Sequence, residues 1–257
     1  MNKYSIPNLS KACSALKWLA GETRPVSTSE VARQLSMPRT TAFRMLRTLV
    51  DEGMLEEIDG RYRSGVGLLH LGLQALNSVE VNTQADPILK RLSHDTGETA
   101  HMAVRADAQM LITKVIDSPS PIRVASRPGT LVSIHCSATG KAVLAAMKPQ
   151  DRQDVLERIQ FEVRTDATHS GVDSLEDDLI TIRKRGYAID DEEYFEGVRC
   201  LAATVFDAYE QPVGAIGITA TTERFPKKKI PVIAAQVTAA ASELSSALGQ
   251  NPVLSSA

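Results

Sequence analysis

The sequence predicts an α+β protein built from two domains joined by a helix. In residues 1–66, apolar side chains recur at spacings of three and four, which indicates short helices, and Asp59-Gly60 then predicts a β-hairpin turn. From residue 82 to 252, helix-like and strand-like segments follow without regular βαβ alternation, and Arg123–Ser126 is one of the predicted strands. The second domain is therefore expected to contain an antiparallel sheet with helices packed on it.

Composition excludes several classes of protein. The chain has 257 residues, 43% hydrophobic and 23% charged, so a sizeable core is expected rather than disorder. No apolar run is long enough to span a bilayer, and the N-terminus lacks the apolar core of a signal peptide. The three cysteines fit neither a disulfide framework nor a zinc-finger spacing. A reducing, cytoplasmic location without membrane contact is expected, with Cys13 buried on the apolar stripe of the first helix.

The stretch Ser27–Arg47 has the order helix, tight turn, helix. Ser27 and Glu30 form the pattern S-x-x-E, a capping box that begins a helix. Ser36-Met37 predicts the turn. Pro38 is expected at the first position of the second helix, where the N–H that proline lacks would be unpaired in any case. This layout is typical of a helix-turn-helix DNA-binding domain.

The second helix is expected to expose a polar and basic face. Thr40, Arg44 and Arg47 are spaced by four and three residues, so they share one surface. Arg pairs with guanine edges, Thr contacts phosphate or a thymine methyl group, and free N–H groups at a helix start bind phosphate. The candidate DNA-binding residues of this stretch are Ser27, Pro38, Arg39, Thr40, Thr41, Arg44 and Arg47. Alone, the pattern also fits a solvated Arg-rich surface helix.

The predicted hairpin and the charge distribution favour DNA binding. Met54–Ile58 and Arg61–Ser64 read as two strands, with Arg61 and Arg63 on the same side and therefore candidates for phosphate contact. Helices followed by such a hairpin give the order of a winged helix-turn-helix domain. Residues 1–66 carry ten Lys and Arg against seven Asp and Glu, whereas the remainder carries nineteen against twenty-four. A basic DNA-binding domain attached to an acidic domain explains this difference, as does chance asymmetry.

Residues 67–81 predict a linker helix with apolar side chains on more than one face. These side chains include Leu68, Leu69, Leu71, Leu73 and Leu76. A second apolar face needs a second covering surface, which a dimer supplies most simply. Two DNA-binding domains also match the two-fold symmetry of duplex sites.

Two segments of the second domain carry candidate ligand-binding residues. The run Ser137-Ala138-Thr139-Gly140 places small residues at a helix start, where exposed N–H groups favour an anion. It does not form a Walker-type phosphate loop, because His135 stands where that loop needs Gly and Ala142 where it needs Ser or Thr. The acidic run Asp190-Asp191-Glu192-Glu193 fits hydroxyl binding, cation coordination or, most simply, a solvated turn.

A metabolic enzyme with an N-terminal protein-interaction module is the alternative. Cys200 or Cys136 would then pair with His135 or His101 as a nucleophile and its base, or these four side chains would share a metal. No spacing in the sequence favours either arrangement, and no G-x-S-x-G nucleophile motif is present. We therefore predict no catalytic residue, no metal ligand and no cofactor.

Three segments, in the same order, resemble the IclR-type bacterial transcriptional regulators. STSEVARQLSMPRTTAFRMLRTLVDEGMLE is similar to their winged helix-turn-helix domain, and HCSATGKAVLA to a loop of their effector-binding domain. GYAIDDEEYFEGVRCLAATVFDAYEQPVGAIGIT is similar to the family's Gly-aromatic pair, acidic cluster, Gly-x-x-Cys segment and Val-Phe-Asp strand. The resemblance extends over nearly the whole chain.

The resemblance implies a cytoplasmic regulator, more often a repressor, that binds double-stranded operator DNA as a homodimer or a dimer of dimers. Its second domain would be GAF-like and would bind a small-molecule effector, frequently a carboxylate such as an organic or sugar acid of a catabolic pathway. The implied pocket residues are Ala138, Thr139, Asp190, Val198, Cys200, Gly217 and Thr219, and the neighbouring Ser137, Gly140 and Glu192 complete the candidate set. Family members often have Ser near Gly217, so Gly predicts a larger or differently shaped effector.

Overall fold

A computed structural model of the protein describes residues 6–78 and 80–249, without the side chains at 73 and 75–80. The chain divides into two compact units, residues 1–78 and residues 79–257. None of the described helices has the length and apolar character needed to cross a membrane. Leu73 and Leu76, which belong to the predicted apolar faces of the linker, lie outside the described side chains.

The N-terminal unit combines helices with a small antiparallel sheet. Its helices are α1 (Pro7–Ala20), α2 (Thr28–Gln34), α3 (Arg39–Asp51) and α4 (Val66–Ser78), and its strands are β1 (Val26–Ser27), β2 (Leu55–Ile58) and β3 (Arg61–Ser64). The strand order is β1-β3-β2. The predicted hairpin is confirmed: Asp59 and Gly60 have φ angles of 50° and 72°, the left-handed values that a tight hairpin turn requires. No sequence pattern predicted β1, because two residues are too few to show a strand periodicity.

Two local expectations in this unit need correction. Pro38 is the N-cap of α3 rather than its first residue, because α3 begins at Arg39. Cys13 is exposed, because α1 turns Ala15 and Leu19 into the core instead. The capping box is present as predicted, since the Ser27 side chain accepts from the Glu30 N–H and the Glu30 carboxylate accepts from the Ser27 N–H.

The C-terminal unit is built on a six-stranded antiparallel sheet of order β6-β5-β4-β9-β8-β7. Its strands are β4 (Thr99–Ala106), β5 (Gln109–Ile116), β6 (Leu131–Ser133), β7 (Ala188–Asp191), β8 (Val198–Phe206) and β9 (Pro212–Thr221). Its helices are α5 (Glu80–Thr96), α6 (Ala138–Ala146), α7 (Pro149–Leu156), α8 (Val172–Arg185) and α9 (Ile230–Ala247). This arrangement confirms the α+β class.

Each face of the sheet carries its own apolar core. On one face, α5 and α9 pack on Met102, Leu201 and Ile218. On the other, α6, α7 and α8 pack on Ala103, Ala202 and Ala215. Successive residues along a strand point alternately into one core and the other, as the two-residue period of a strand requires. The small residues on the second face allow α6 to pack close to the sheet.

The strand predicted at Arg123–Ser126 is wrong, because these residues form no regular element. The edge strand of the sheet is instead β6, which pairs with β5 through Met110 and Val132. The Val124 carbonyl accepts a hydrogen bond from the Thr99 hydroxyl at 3.1 Å. The segment is thus held by a side chain of β4 rather than by a strand ladder.

Candidate functional site

Helix α3 presents the basic face that the sequence predicts. Arg39, Thr40 and Arg44 are exposed, while Ala42 and Leu46 pack into the core. Arg39 and Arg44 have no ion pair to any described residue. The start of α3 has no side-chain cap among the residues described, so its first backbone N–H groups are available to an anion.

The other three predicted arginines are held by acidic side chains. The β2–β3 hairpin forms the wing, and its Glu57 and Glu56 pair with two of these arginines. Arg47 of α3 lies 2.6 Å from Glu57, and Arg63 of β3 lies 2.8 Å from Glu56. Arg61 lies 3.6 Å from Glu30 and donates to the Pro25 carbonyl at 3.2 Å. The Ser27 hydroxyl is likewise used inside the unit, because it donates to the Glu30 carboxylate at 2.7 Å. Arg47 and Arg61 thus connect the wing to α3 and α2, whereas the Arg63–Glu56 pair lies within the wing.

A cavity of about 290 Å³ lies in the C-terminal unit between the sheet and the start of α6; we call it the C-terminal cavity. It is lined by His101, Ile112, Val124, Ala125, Ser126, Arg127, Thr130, Val132, Ser137, Ala138, Thr139, Asp190, Tyr194, Phe195, Val198, Cys200 and Thr219. Apolar and polar side chains share the lining, which includes one guanidinium, that of Arg127, and one carboxyl group, that of Asp190. Apolar walls with a few groups that fix orientation are usual for small-molecule sites.

Seven of the predicted effector residues line this cavity and three do not. Those that line it are Ser137, Ala138, Thr139, Asp190, Val198, Cys200 and Thr219. Glu192 instead accepts a hydrogen bond from the Gly197 N–H at 2.8 Å within its own loop. Gly140 packs against the backbone of Ile134, and Gly217 against the backbone of β8, so neither has room for a side chain.

The start of α6 offers polar backbone to the cavity. Ser137 is the N-cap, and its hydroxyl oxygen accepts from the Gly140 N–H at 3.2 Å. The N–H groups of Ala138 and Thr139, in the first turn of the helix, have no intrahelical acceptor. Ala138 and Thr139 line the cavity, so a bound carboxylate could accept hydrogen bonds from this turn and gain from the helix dipole.

Asp190 is a buried carboxyl group on the cavity wall. Its Oδ1 accepts hydrogen bonds from the backbone N–H groups of Glu193 at 2.8 Å and Tyr194 at 3.2 Å. Burial, followed by the nearby charge of Glu193, raises the pKa of Asp190 to about 7, and these two hydrogen bonds only partly oppose that rise. Asp190 therefore changes its charge in the neutral pH range.

The acidic run is not a solvated turn, because Asp190 and Glu193 are only 2% and 7% exposed. The ammonium group of Lys141, itself 1% exposed, lies 2.7 Å from the Asp178 carboxylate and also contacts Glu193. Burial raises the pKa of Glu193. Although burial opposes it, the hydrogen bond from His169 and the charge of Lys141 hold the pKa of Asp178 well below its usual range.

Within the residues described, His169, Asp178 and Glu193 form the one group with the spacing of metal ligands, their ligand atoms lying within 4.8 Å of one another. Sequence reasoning missed this group, because 9 and 15 residues separate its members along the chain. The Lys141 ammonium already contacts both carboxylates, so a positive charge is present without a metal. We interpret the group as a buried charge cluster that joins α6, α8 and the Asp190–Glu193 run.

The cysteine and histidine side chains of the enzyme alternative do not form a catalytic pair. Burial raises the pKa of Cys136 to about 12 and that of Cys200 well above the usual value, so neither is a thiolate at neutral pH. The Cys200 sulfur instead lies 3.2 Å from the Thr219 hydroxyl oxygen. His135 pairs through Nε2 with the Glu162 carbonyl at 3.2 Å.

We expect the Asp190→Asn variant to gain stability over the wild type as pH rises from 5 to 8. The folded pKa of Asp190 is about 7, above its unfolded value, so the folded state binds more protons and the wild type loses free energy of unfolding as pH rises through this window. The difference in free energy of unfolding between the variant and the wild type should change by at most about 1.4 kcal/mol per pH unit. Urea unfolding at several pH values measures it.

The exposed Asp166 provides the control for this experiment. The Asp166→Asn profile should run parallel to that of the wild type between pH 5 and 8. Parallel profiles for Asp190→Asn as well would show that Asp190 is ionised throughout, contrary to this expectation.

Family models match both units of the chain. The model described as "IclR helix-turn-helix domain" matches residues 8–59. The model described as "Bacterial transcriptional regulator IclR C-terminal" matches residues 73–246.

Individual proteins are similar over most of their length. The chain is 31% identical to the transcriptional repressor IclR of Escherichia coli over 248 residues, which cover 95% of this chain and 90% of the relative. It is 36% identical to the glycerol operon regulatory protein of Streptomyces coelicolor over 222 residues, 86% of this chain and 87% of that one. The crystal structure of the Thermotoga maritima IclR is similar with a TM-score of 0.72 and 27% identity, covering 95% of this chain and all of that one.

Proposed function

Because the chain belongs to the IclR family of bacterial transcriptional regulators, we propose that it represses a catabolic operon and that a small organic or sugar acid controls it. It is a DNA-binding regulator and not an enzyme. The observation that carries the proposal is the exposed, uncapped start of α3, where two arginines have no partner among the described residues. The relative named as a transcriptional repressor supports repression, and the relative named as an operon regulatory protein supports control of an operon.

For DNA recognition, we assign base contacts to Thr40, Thr41 and Arg44 and phosphate contacts to the start of α3. The guanidinium of Arg44 is exposed and has no ion pair to a described residue, as a bidentate contact to guanine requires. The N–H groups that follow Pro38, together with Arg39, would hold a phosphate and fix the register of the helix. The three candidate arginines that form ion pairs would contribute to DNA binding by positioning the wing and through its charge; they are Arg47, Arg61 and Arg63.

For the effector, the carboxylate is assigned to the first turn of α6, where the N–H groups of Ala138 and Thr139 meet the C-terminal cavity. The apolar lining from Ile112, Val132 and Val198 would cover the remaining part of the molecule. A cavity of about 290 Å³ suits a small metabolite rather than a peptide or nucleotide chain.

The protein is proposed to act as a homodimer, alone or as a dimer of dimers, on DNA in the cytoplasm. Val66, Leu69 and Leu71 on α4 are exposed in the single chain, and a second copy would cover them. Two copies would also place two α3 helices on a two-fold symmetric operator. Effector binding would then act on the spacing of the two DNA-binding units.

The Arg44→Ala variant is expected to lose discrimination between operator and random duplex by one to two orders of magnitude, because a bidentate base contact contributes about 1–3 kcal/mol. Titrations of both duplexes at one salt concentration, by fluorescence anisotropy, measure the ratio of the two affinities. The operator is the promoter fragment that the wild type protects from nuclease digestion.

Arg158→Ala serves as the matched control, since Arg158 is an exposed arginine of the C-terminal unit that pairs with Asp107. It should leave both affinities unchanged. If Arg44→Ala weakens the binding of both duplexes equally, Arg44 contacts phosphate; if neither affinity changes, α3 does not use Arg44 on DNA.

A further inference from the structure

His101 is a buried histidine on the wall of the C-terminal cavity. It lies on β4, where its register neighbours are Gly217 on β9 and Val115 on β5. Gly217 is paired on its other side with Ala202 of β8. The His101 imidazole therefore has two small residues next to it on its own face of the sheet. The residue is 6% exposed and lines the cavity with Cys200 and Thr219.

The imidazole of His101 has no hydrogen-bond partner among the residues that the structure describes. Its Nδ1 is sealed from solvent and unpaired. Polar side chains near His101 do find partners: the Thr99 hydroxyl donates to the Val124 carbonyl, and Cys200 pairs with Thr219. A ligand in the cavity cannot reach the sealed Nδ1, so the nitrogen open to it is Nε2, which also has no partner among the described residues. A hydrogen bond from a ligand to Nε2 would recover free energy that this unpaired group costs.

The protonation state of His101 limits which ligand group fits. Burial lowers its pKa to about 4, so the ring is neutral at pH 7. In a neutral imidazole Nε2 donates in one tautomer and accepts in the other, so a partner that suits both tautomers must be able to donate and to accept. A hydroxyl group does both, whereas a carboxylate only accepts and would be paired better by a cation.

We propose that His101 is the specificity-determining residue of the C-terminal cavity and that it hydrogen-bonds a hydroxyl group of the effector. This inference rests on the proposed function, which assigns the carboxylate to the first turn of α6. The effector is then a hydroxy acid whose two polar groups bind to different elements, the carboxylate to α6 and the hydroxyl to β4. The unsubstituted acid would leave His101 unpaired.

Matched pairs of acids test the assignment on the full chain. The probes are 3-hydroxybutyrate with butyrate, 4-hydroxybenzoate with benzoate, and mandelate with phenylacetate, each titrated by calorimetry. The wild type is expected to bind the hydroxy acid of at least one pair about tenfold more tightly than its unsubstituted partner. In His101→Phe, that ratio should fall to about one, with the affinity for the unsubstituted acid retained.

The matched control is His135→Phe, because His135 is a second buried histidine but does not line this cavity. This variant should keep the ratio of the wild type. Equal binding of both acids by the wild type, or an unchanged ratio in His101→Phe, overturns the role of His101 and leaves the acid effector standing. If no acid of either kind binds, the hydroxy-acid assignment and the proposed acid effector both fail.

A comparison without ligand separates this role from a structural one. His101→Phe removes an unpaired buried group, so the variant should melt at the same temperature as the wild type or higher. His135→Phe should melt lower, because it removes the hydrogen bond to the Glu162 carbonyl. A melting temperature of His101→Phe that falls like that of His135→Phe would mean that His101 is needed for packing, which overturns the proposal.

Discussion

Replacing Lys141 by methionine is expected to lower the free energy of unfolding of the C-terminal unit by about 3–5 kcal/mol. Methionine keeps the length of the side chain but removes the ammonium group, which lies 2.7 Å from Asp178 and also contacts Glu193. Glu193 is buried and would lose its cation, leaving a carboxylate that is costly to keep without water or a partner. Urea unfolding at pH 7, followed by circular dichroism, measures the loss.

Two further variants show that the loss comes from unpaired charge. Adding Glu193→Gln to Lys141→Met should restore about 1–2 kcal/mol, because it removes the buried carboxylate that has lost its ammonium partner. Lys148→Met, at the exposed N-cap of α7, should cost less than about 0.5 kcal/mol. Trp18, the single tryptophan of the chain, lies in the N-terminal unit, so its fluorescence reports the unfolding of that unit separately from that of the C-terminal unit.

If Lys141→Met costs no more than Lys148→Met, the buried cluster does not stabilise the fold. If the double variant is no more stable than Lys141→Met alone, the loss arises from packing around the methionine rather than from charge.

Replacing Gly140 by alanine is expected to cost about 3 kcal/mol or more. A Cβ atom at this position would lie 2.2 Å from the Ile134 carbonyl oxygen and 2.6 Å from the Ile134 Cα. These are backbone atoms, so no side-chain rotation relieves the overlap, and the first turn of α6 must move away from the chain before it. Thermal unfolding followed by circular dichroism measures the destabilisation.

Gly171→Ala is the matched control for this second substitution. Gly171 is the N-cap of α8, and a Cβ atom there meets no atom within 4 Å. Its cost should not exceed about 1 kcal/mol, the difference between glycine and alanine as N-cap. Equal effects of the two substitutions would mean that α6 is free to shift, and that Gly140 does not fix its position.

The sequence predicts features that depend on residues close together in the chain. The capping box of Ser27 and Glu30 and the turn at Asp59-Gly60 are each fixed within four residues, and the structure contains both. The reading face of α3 follows from a helical period over the same short range. Local periodicity also predicted the helices and most strands of the C-terminal unit.

Features that depend on tertiary contacts were not predictable in this way. Lys141, Asp178 and Glu193 are 37 and 15 residues apart, and nothing near any one of them indicates the partner it meets. An acidic run is usually solvated, and only the buried ammonium group explains why this one is not. The wrong strand at Arg123–Ser126 has a similar cause, because the Thr99 hydroxyl, from a distant segment, holds its backbone.

The reason for glycine at position 217 differs from the one expected. From the family resemblance, glycine where other members often have Ser predicted a larger or differently shaped effector. The structure places Gly217 so close to the Leu201 carbonyl, 2.5 Å from a Cβ atom at this position, that the backbone rather than a ligand requires glycine. The change in recognition that we infer lies instead in its neighbour His101.

The antiparallel sheet ends in two short strands, β6 with three residues and β7 with four. Each leaves few unpaired N–H and C=O groups for another chain to extend, and Asp191 at the end of β7 is held by Arg199 at 2.8 Å. Edges this short resist the strand-by-strand joining of copies that leads to insoluble aggregates. The proposed pairing of two copies would then use the exposed side chains of α4 and not these sheet edges.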